Sequence, residues 1–182
     1  MINTKQDIKR YLAVERKLYL SPSRVGYLKQ VIAGDVKVKI FRFVKLLRKE
    51  EYYHRRAGLV GKLCYYYYHC RRNRLGTKLG LEMWDSCFDE GLYIAHAGNI
   101  VVNGKSRIGK NCILHGSNCI GNDGKSSACP VIGDNVRIGV GAKILGGVTL
   151  ADDIKIGAGA VVLNSFDEPG ITIAGVPARR VR

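Results

Sequence analysis

Two histidines stand where an imidazole is available for chemistry. His96 lies in Ile94-Ala95-His96-Ala97-Gly98 and His115 follows Leu114, both within a region of repeating aliphatic positions. His96 comes two residues after an inward aliphatic and so points to an outer face or a corner. His115 takes a place where the pattern usually has a small residue. An imidazole, with an aqueous pKa of about 6.5, suits removal of a proton from a hydroxyl near neutrality. His54 and His69 belong to a basic helical region and read as surface or packing residues. Cys64, Cys70, Cys87, Cys112, Cys119 and Cys129 show no zinc-like pairing. Cys112 and Cys119 read as small hydrophobes inside the repeats. Cys129 reads as an ordinary loop thiol, and a nucleophilic role lacks a basic partner at any evident spacing. A reducing, cytoplasmic setting accounts for this usage. No metal set is expected, because a histidine-lined metal site needs three converging imidazoles and the HxxxxH spacing is missing.

The elements that must carry these groups follow from a period of six. Val102, Ile108, Leu114, Ile120, Ile132, Ile138, Ile144, Leu150, Ile156 and Val162 fall in one register, with Ser126 its single break. The register resumes at Ile132 without slipping, so residues 121–131 read as one loop replacing part of a turn. A period of six suits neither a helix nor one long strand, and it marks hexapeptide-repeat coils. Each unit lays down a short strand and turns a corner, and three units close a triangular coil. Glycine often follows the aliphatic, as at Gly109, Gly121, Gly133, Gly139 and Gly157. Lys110-Asn111, Asp134-Asn135 and Asp152-Asp153 sit at corners, where Asn and Asp tolerate positive φ. The predicted fold is mainly β: a left-handed parallel β-helix with an N-terminal α-helical region. Residues 81–93 read as transitional, Gly91 as the point where the coils begin, and Val162 as the end of the repeat.

The charge divides the chain. Residues 1–80 hold 20 Lys and Arg against 5 Asp and Glu, and residues 81–182 hold 10 against 10, so the whole excess of +15 lies in the first part. This predicts a basic α-helical region over 1–80 and a β-helix domain with a closing segment over 81–182. Helices are expected at 5–20, at about 35–53 and at about 59–79, with Ser21-Pro22-Ser23 breaking the first. Lys37, Lys45, Arg48 and Lys49 then fall between the apolar positions of the second as a solvated surface. A field of this sign attracts anionic partners, and peripheral membrane contact is one reading of it. Tyr65 to Tyr68 among basic residues suggest nucleic-acid stacking, but four consecutive positions point to all sides of a helix, so no nucleic acid is expected. No run approaches the roughly 20 apolar residues that a membrane-spanning helix needs. The first 30 residues alternate charged and apolar groups, unlike a secretory leader.

Gly91 to Val102, with His96 at its centre, resembles the segment of serine acetyltransferases that carries their catalytic histidine. Ile138 to Gly146 and Ile156 to Val162 are similar to that family's later coils. Ala174-Gly175-Val176-Pro177-Ala178-Arg179 resembles the ending of hexapeptide acyltransferases. Phe43 to Lys49 followed by Glu51-Tyr52 looks like small serine-acetyltransferase-like proteins of surface-polysaccharide assembly. The resemblance implies direct acetyl transfer from acetyl-CoA to an acceptor hydroxyl in a homotrimer, with sites in grooves between neighbouring β-helices. His96 matches the general base, and His115 resembles a second histidine of polysaccharide acetyltransferases. Gly121, Val140, Ala158 and Asn164 match positions along the cofactor's arm, and Arg179 and Arg182 its nucleotide phosphates. A backbone N–H near the 121–131 loop serves as oxyanion donor. Ala95 and Ala128 stand where the family places an aspartate and an arginine for serine. The acceptor expected first is therefore a sugar of a surface polysaccharide, with serine O-acetylation as the alternative. A trimeric β-helix scaffold without catalysis is the reading from another class. Glu82, Asp85 and Asp89 are the carboxylates near enough in sequence to orient His96.

Overall fold

The computed structural model describes residues 2–181, and the chain divides into two compact units, Met1–Leu79 and Gly80–Arg182. The first is helical: α1 (Lys5–Tyr19), α2 (Arg24–Ile32), α3 (Val36–His54) and α4 (Gly58–Leu79). Each of the first three begins at a side-chain cap. Thr4 Oγ1 accepts from the Asp7 N–H at 3.0 Å while Asp7 Oδ2 accepts from the Thr4 N–H at 2.8 Å. The Thr4 hydroxyl, donating to Asp7 Oδ2 at 2.9 Å, and then the Asn3 and Thr4 N–H groups hold the Asp7 carboxyl below its ordinary range. Ser23 caps α2 through the Gly26 N–H, and Asp35 caps α3 through the Lys37 N–H. The helix α2 was not expected. It is short, has Gly26 in its first turn, and buries no residue, so it leaves little amphipathic signal.

The interior of this unit departs from the expected solvated surface. Arg48 is wholly buried, with Nη2 and Nε donating to Glu15 Oε1 at 2.6 and 3.1 Å and Nη1 reaching Glu51 Oε2 at 3.4 Å. Burial pulls the Arg48 guanidinium's pKa down, but Glu15 and Glu51 outweigh it and leave it raised. Tyr11 lies against the same guanidinium, 5.0 Å from ring centroid to Cζ. Arg72 is likewise buried, its Nε and Nη2 donating to Glu50 at 2.5 and 3.0 Å, and His69 Nδ1 approaches the same carboxylate at 2.8 Å. Removing one member of a buried ionic network leaves charge in a low-dielectric interior. Arg48→Met is expected to destabilise this unit by about 3–5 kcal/mol in urea unfolding followed by the helical circular-dichroism signal. A change below about 1 kcal/mol would show that the network adds nothing to stability.

The second unit is a parallel β-helix with three faces. One sheet contains Leu81–Met83, Ile100–Val102, Cys119–Gly121, Lys143–Leu145 and Val161–Val162. A second contains Arg107–Ile108, Val131–Ile132 and Thr149–Leu150. The third contains Tyr93–Ile94, Ile113–Leu114, Arg137–Ile138, Lys155–Ile156 and Thr172–Ala174, closed by the antiparallel strand Arg179–Arg180. The chain visits third, first and second sheets in rotation. Every aliphatic of the six-residue register is buried and stacks on its equivalent in the next coil, as Leu114 does on Ile138 and Ile138 on Ile156. A second buried column, two residues earlier, also recurs every six: Ser106, Cys112, Asn118, Val136, Ala142, Val148, Ile154 and Ala160.

Two corner devices hold the coils. Asn111, Asn135 and Asp153 adopt positive φ at 55°, 59° and 62°, as the corner polar pairs predict. The glycines after the aliphatics act differently from expectation. A Cβ at Gly139 would lie 2.6 Å from the Ala158 nitrogen, so glycine there admits the next coil's backbone and does not supply a turn.

Three boundaries shift. The coils begin at Leu81, not Gly91, since Leu81–Met83 pairs with Ile100–Val102 and Phe88 bridges to Ile108 on the second face. They continue past Val162, where Phe166 bridges to Leu150 and Thr172-Ile173 pair with Lys155-Ile156. The loop after Gly121 replaces no part of the wall. Cys119–Gly121 and Val131–Ile132 occupy consecutive faces, so about one unit is looped out and Ser126 is exposed.

Candidate active site

His96 sits on the corner joining the third sheet to the first. Its side chain is exposed, because Ile94 takes the core position and the chain then leaves the sheet. This corner is enlarged. Ile94 pairs with Leu114 and Val102 with Ile120, so eight residues separate the inward positions here where the next coil has six. The two extra residues push the Ala95–Asn99 segment outward, which explains why the strict register starts only at Val102.

Register places the rest of the corner below it. Counting two residues on from each paired aliphatic gives His96, Gly116, Val140, Ala158 and Gly175 in successive coils. A Cβ on Gly116 would lie 3.4 Å from His96 Cβ, so the glycine lies directly against the histidine. His115 is one residue earlier in that coil and also exposed, a diagonal neighbour of His96. Val140 and Ala158, two of the expected cofactor positions, are exposed on the same corner. Arg179 pairs with Ala174 at its lower end and is exposed, while Arg180 is engaged by Glu168. Four coil spacings separate the His96 level from the Gly175 level, roughly 19 Å. Arg182 lies outside the described residues.

Asn118 holds this corner and was missed. It is fully buried, its Oδ1 accepts from the Gly116 N–H at 3.0 Å, and its Nδ2 donates to the Gly139 carbonyl at 2.7 Å. It ties the coil of His115 to the coil of Val140. The signal was a polar amide in the second six-residue column, where Ala or Val stands in later coils.

Gly121 and Asn164 lie elsewhere, on the corner joining the first sheet to the second. Gly121 pairs with Leu145, and Asn164 lines a groove of about 580 Å³ with Asp123, Lys125, Gly146, Gly147 and Leu163. The loop that follows Gly121 is self-capped. Asp123 Oδ1 accepts from the Ser126 and Lys125 N–H groups at 3.0 and 2.9 Å, which hold its carboxyl below the usual range. Ala128 folds against Gly147, where a Cβ would come within 2.9 Å of it. The Cys129 thiol turns to the Ser127 carbonyl at 3.8 Å, with no base beside it among its hydrogen-bond partners. Cys112 is inert, its pKa pushed by burial up to about 12, and Cys119 is only half-buried. One chain thus brings His96, His115, Val140, Ala158 and Arg179 to one corner and Gly121 and Asn164 to another.

Among the three carboxylates considered for orienting His96, Glu82 is on the first sheet, and Asp85 and Asp89 are farther round the first coil. Asp89 Oδ1 accepts from the Glu90 N–H. None lies on the His96 corner. Among the described residues, no helix is long and apolar enough to cross a membrane, and no three metal-ligating side chains converge.

Comparison with known proteins bears on this arrangement. Residues 129–164 match the family described as bacterial transferase hexapeptide (six repeats). A serine acetyltransferase of Staphylococcus xylosus is 39% identical over 93 residues, which cover 50% of this chain and 43% of that one. The chain spans under half the length of the curated relatives it matches. Among solved structures, the serine acetyltransferase of Neisseria gonorrhoeae superposes with a TM-score of 0.76 at 27% identity, covering 98% of this chain and 68% of its own. A serine acetyltransferase in complex with CoA superposes with a TM-score of 0.74 at 25% identity, covering 97% and 71%. Residues 129–164 thus share the repeat of the hexapeptide transferases, and half of the chain is similar in sequence to serine acetyltransferases.

Proposed function

We propose that this protein is an acetyl-CoA-dependent O-acetyltransferase of the serine-acetyltransferase type, with a left-handed coil. The observation that carries the reading is the single corner on which His96, His115, Val140, Ala158 and Arg179 align. Its small residues (Gly116, Gly139, Gly157 and Ala158) leave a smooth backbone edge on which an extended thioester arm can lie. The Arg179 guanidinium at the lower end suits a phosphate. His96, exposed at the upper end, takes the proton of an acceptor hydroxyl as its oxygen bonds to the thioester carbon. The C–S bond then breaks, and the proton passes to the departing thiolate. His115 assists from the adjacent coil. A backbone N–H beside Gly121 meets the oxyanion.

That donor and Asn164 are on a different corner from His96, so the complete site joins corners of two neighbouring copies. A homotrimer closes three such sites, and the reducing use of cysteine fits the cytoplasm. The relatives are serine acetyltransferases by name, which weighs for L-serine as acceptor over the polysaccharide sugar that the sequence put first. One observation favours the sugar. On the His96 corner itself, residues 95–99, 115–118 and 139–142 include no Asp, Glu, Lys or Arg, so charges for an amino acid's two ends would have to come from the other corner, where Asp123 and Lys125 lie.

The test is acceptor-dependent release of CoA thiol from acetyl-CoA, with the sedimenting species determined in the same buffer. Turnover by a trimer is expected. Full turnover by a stable monomer would refute a site shared between copies, and no thiol release with any hydroxyl acceptor would refute the activity.

A further inference from the structure

The helical unit carries a groove of about 710 Å³ between α3 and α4, and its charged lining is entirely cationic. Arg42, Lys45 and Lys49 come from α3, and Arg71, Arg74 and Lys78 from α4, with Leu46, Leu75, Tyr67 and Cys70 completing the lining. The two helices run antiparallel, as the contacts of Lys49 and Tyr53 with Tyr68 and of His54 with Tyr65 require. Each row of three cations spans seven residues of helix, roughly 10 Å.

No carboxylate of this unit is left to neutralise them. Residues 1–79 contain five, and each has another task. Asp7 and Asp35 cap helices, Glu15 and Glu51 face Arg48 in the interior, and Glu50 is held by Arg72. The groove cations that do make contacts make them with tyrosines: Arg71 donates to the Tyr67 hydroxyl at 2.6 Å, and Lys49 lies over the Tyr68 ring. Arg42 and Lys45 also line an adjoining hollow with Lys9 and Arg16, which lengthens the same field. Six like charges around one concavity, with no carboxylate of this unit beside them, raise the local concentration of anions, and arginine forks match phosphate oxygens.

We infer that this groove is a binding site for a compact anion carrying several phosphate charges, such as a pyrophosphate or longer oligophosphate group. The volume is that of a small-ligand site, and the two facing rows engage neighbouring phosphates from both sides. The site is built from residues of the helical unit alone and does not depend on the acetyl-transfer reading.

The experiment titrates the full chain with inorganic tripolyphosphate by calorimetry at physiological salt. Lys45→Gln with Arg74→Gln is expected to weaken binding roughly 10- to 100-fold, the loss of one to two charge-assisted contacts. Lys5→Gln with Lys62→Gln removes the same net charge from exposed positions outside the groove and is expected to leave affinity within about twofold. Equal losses in the two pairs, or no binding by the unaltered chain, would overturn the proposal. Both substituted proteins are expected to melt at or above the unaltered protein, since removing like charges relieves repulsion. Phosphatidylglycerol vesicles separate the sources of the phosphate. Binding that tripolyphosphate displaces and the groove pair abolishes assigns it to a lipid headgroup. Failure of vesicles to bind assigns it to a soluble molecule, and vesicle binding that tripolyphosphate leaves untouched overturns the groove as the anion site.

Discussion

Replacing His96 with asparagine is expected to lower the acetyl-transfer rate by roughly 10²–10⁴, the usual contribution of a positioned general base. The side chain is exposed on an enlarged corner, and beneath it lies Gly116, so the shorter amide disturbs no core packing. The melting temperature should not change, which separates a lost base from a lost fold. The KM for acetyl-CoA should also stay close to that of the unaltered protein, because on the proposed reading the imidazole meets the acceptor while Val140, Ala158 and Arg179 lie lower on the corner. His115→Asn is expected to cost less, being one residue removed from that line. Retention of most of the rate by His96→Asn would end the assignment.

The second large effect concerns the acceptor. A zwitterionic amino acid requires opposite charges at both ends, and Ala95 and Ala128 supply neither. Two missing charged contacts of ~1.5–3 kcal/mol each should weaken L-serine binding by roughly two to four powers of ten relative to a site that has them. A neutral sugar hydroxyl loses nothing by their absence. In direct competition a sugar is therefore expected to show the higher kcat/KM, with serine at millimolar concentration beside hexoses, amino sugars and nucleotide sugars. Saturable turnover of serine with every sugar untouched would show that groups elsewhere hold the zwitterion. It would also bring the acceptor into line with the names of the relatives.

The coils were legible because one buried side chain recurs at a fixed interval, and burial is what a period in sequence records. The helices α1, α3 and α4 were legible for a similar reason. What escaped was polar and buried. Arg48 and Arg72 look in sequence like any surface cation of a helix, and only pairing at long range with Glu15 and Glu50 takes them inside. Asn118 escaped because its role is to hold two backbone groups of neighbouring coils, a relation with no local pattern. His96 itself was findable by chemistry, but its enlarged corner was visible only as an imperfection before Val102. The division of the expected site between two corners was only partly legible: three units to a coil put Ala158 and Asn164 on successive corners, but the looped-out unit after Gly121 shifts the count that would relate Gly121 to Val140.

The looped-out unit after Gly121 has a bearing on how such proteins diversify. Its two ends leave and rejoin the wall on consecutive faces, where any other corner would simply turn. A corner of this kind works as an insertion port. Segments of other lengths and sequences can be exchanged there without re-phasing a single core residue above or below. On the proposed activity, a different cassette would alter that corner's surface while the His96 corner, built from other residues, is inherited intact.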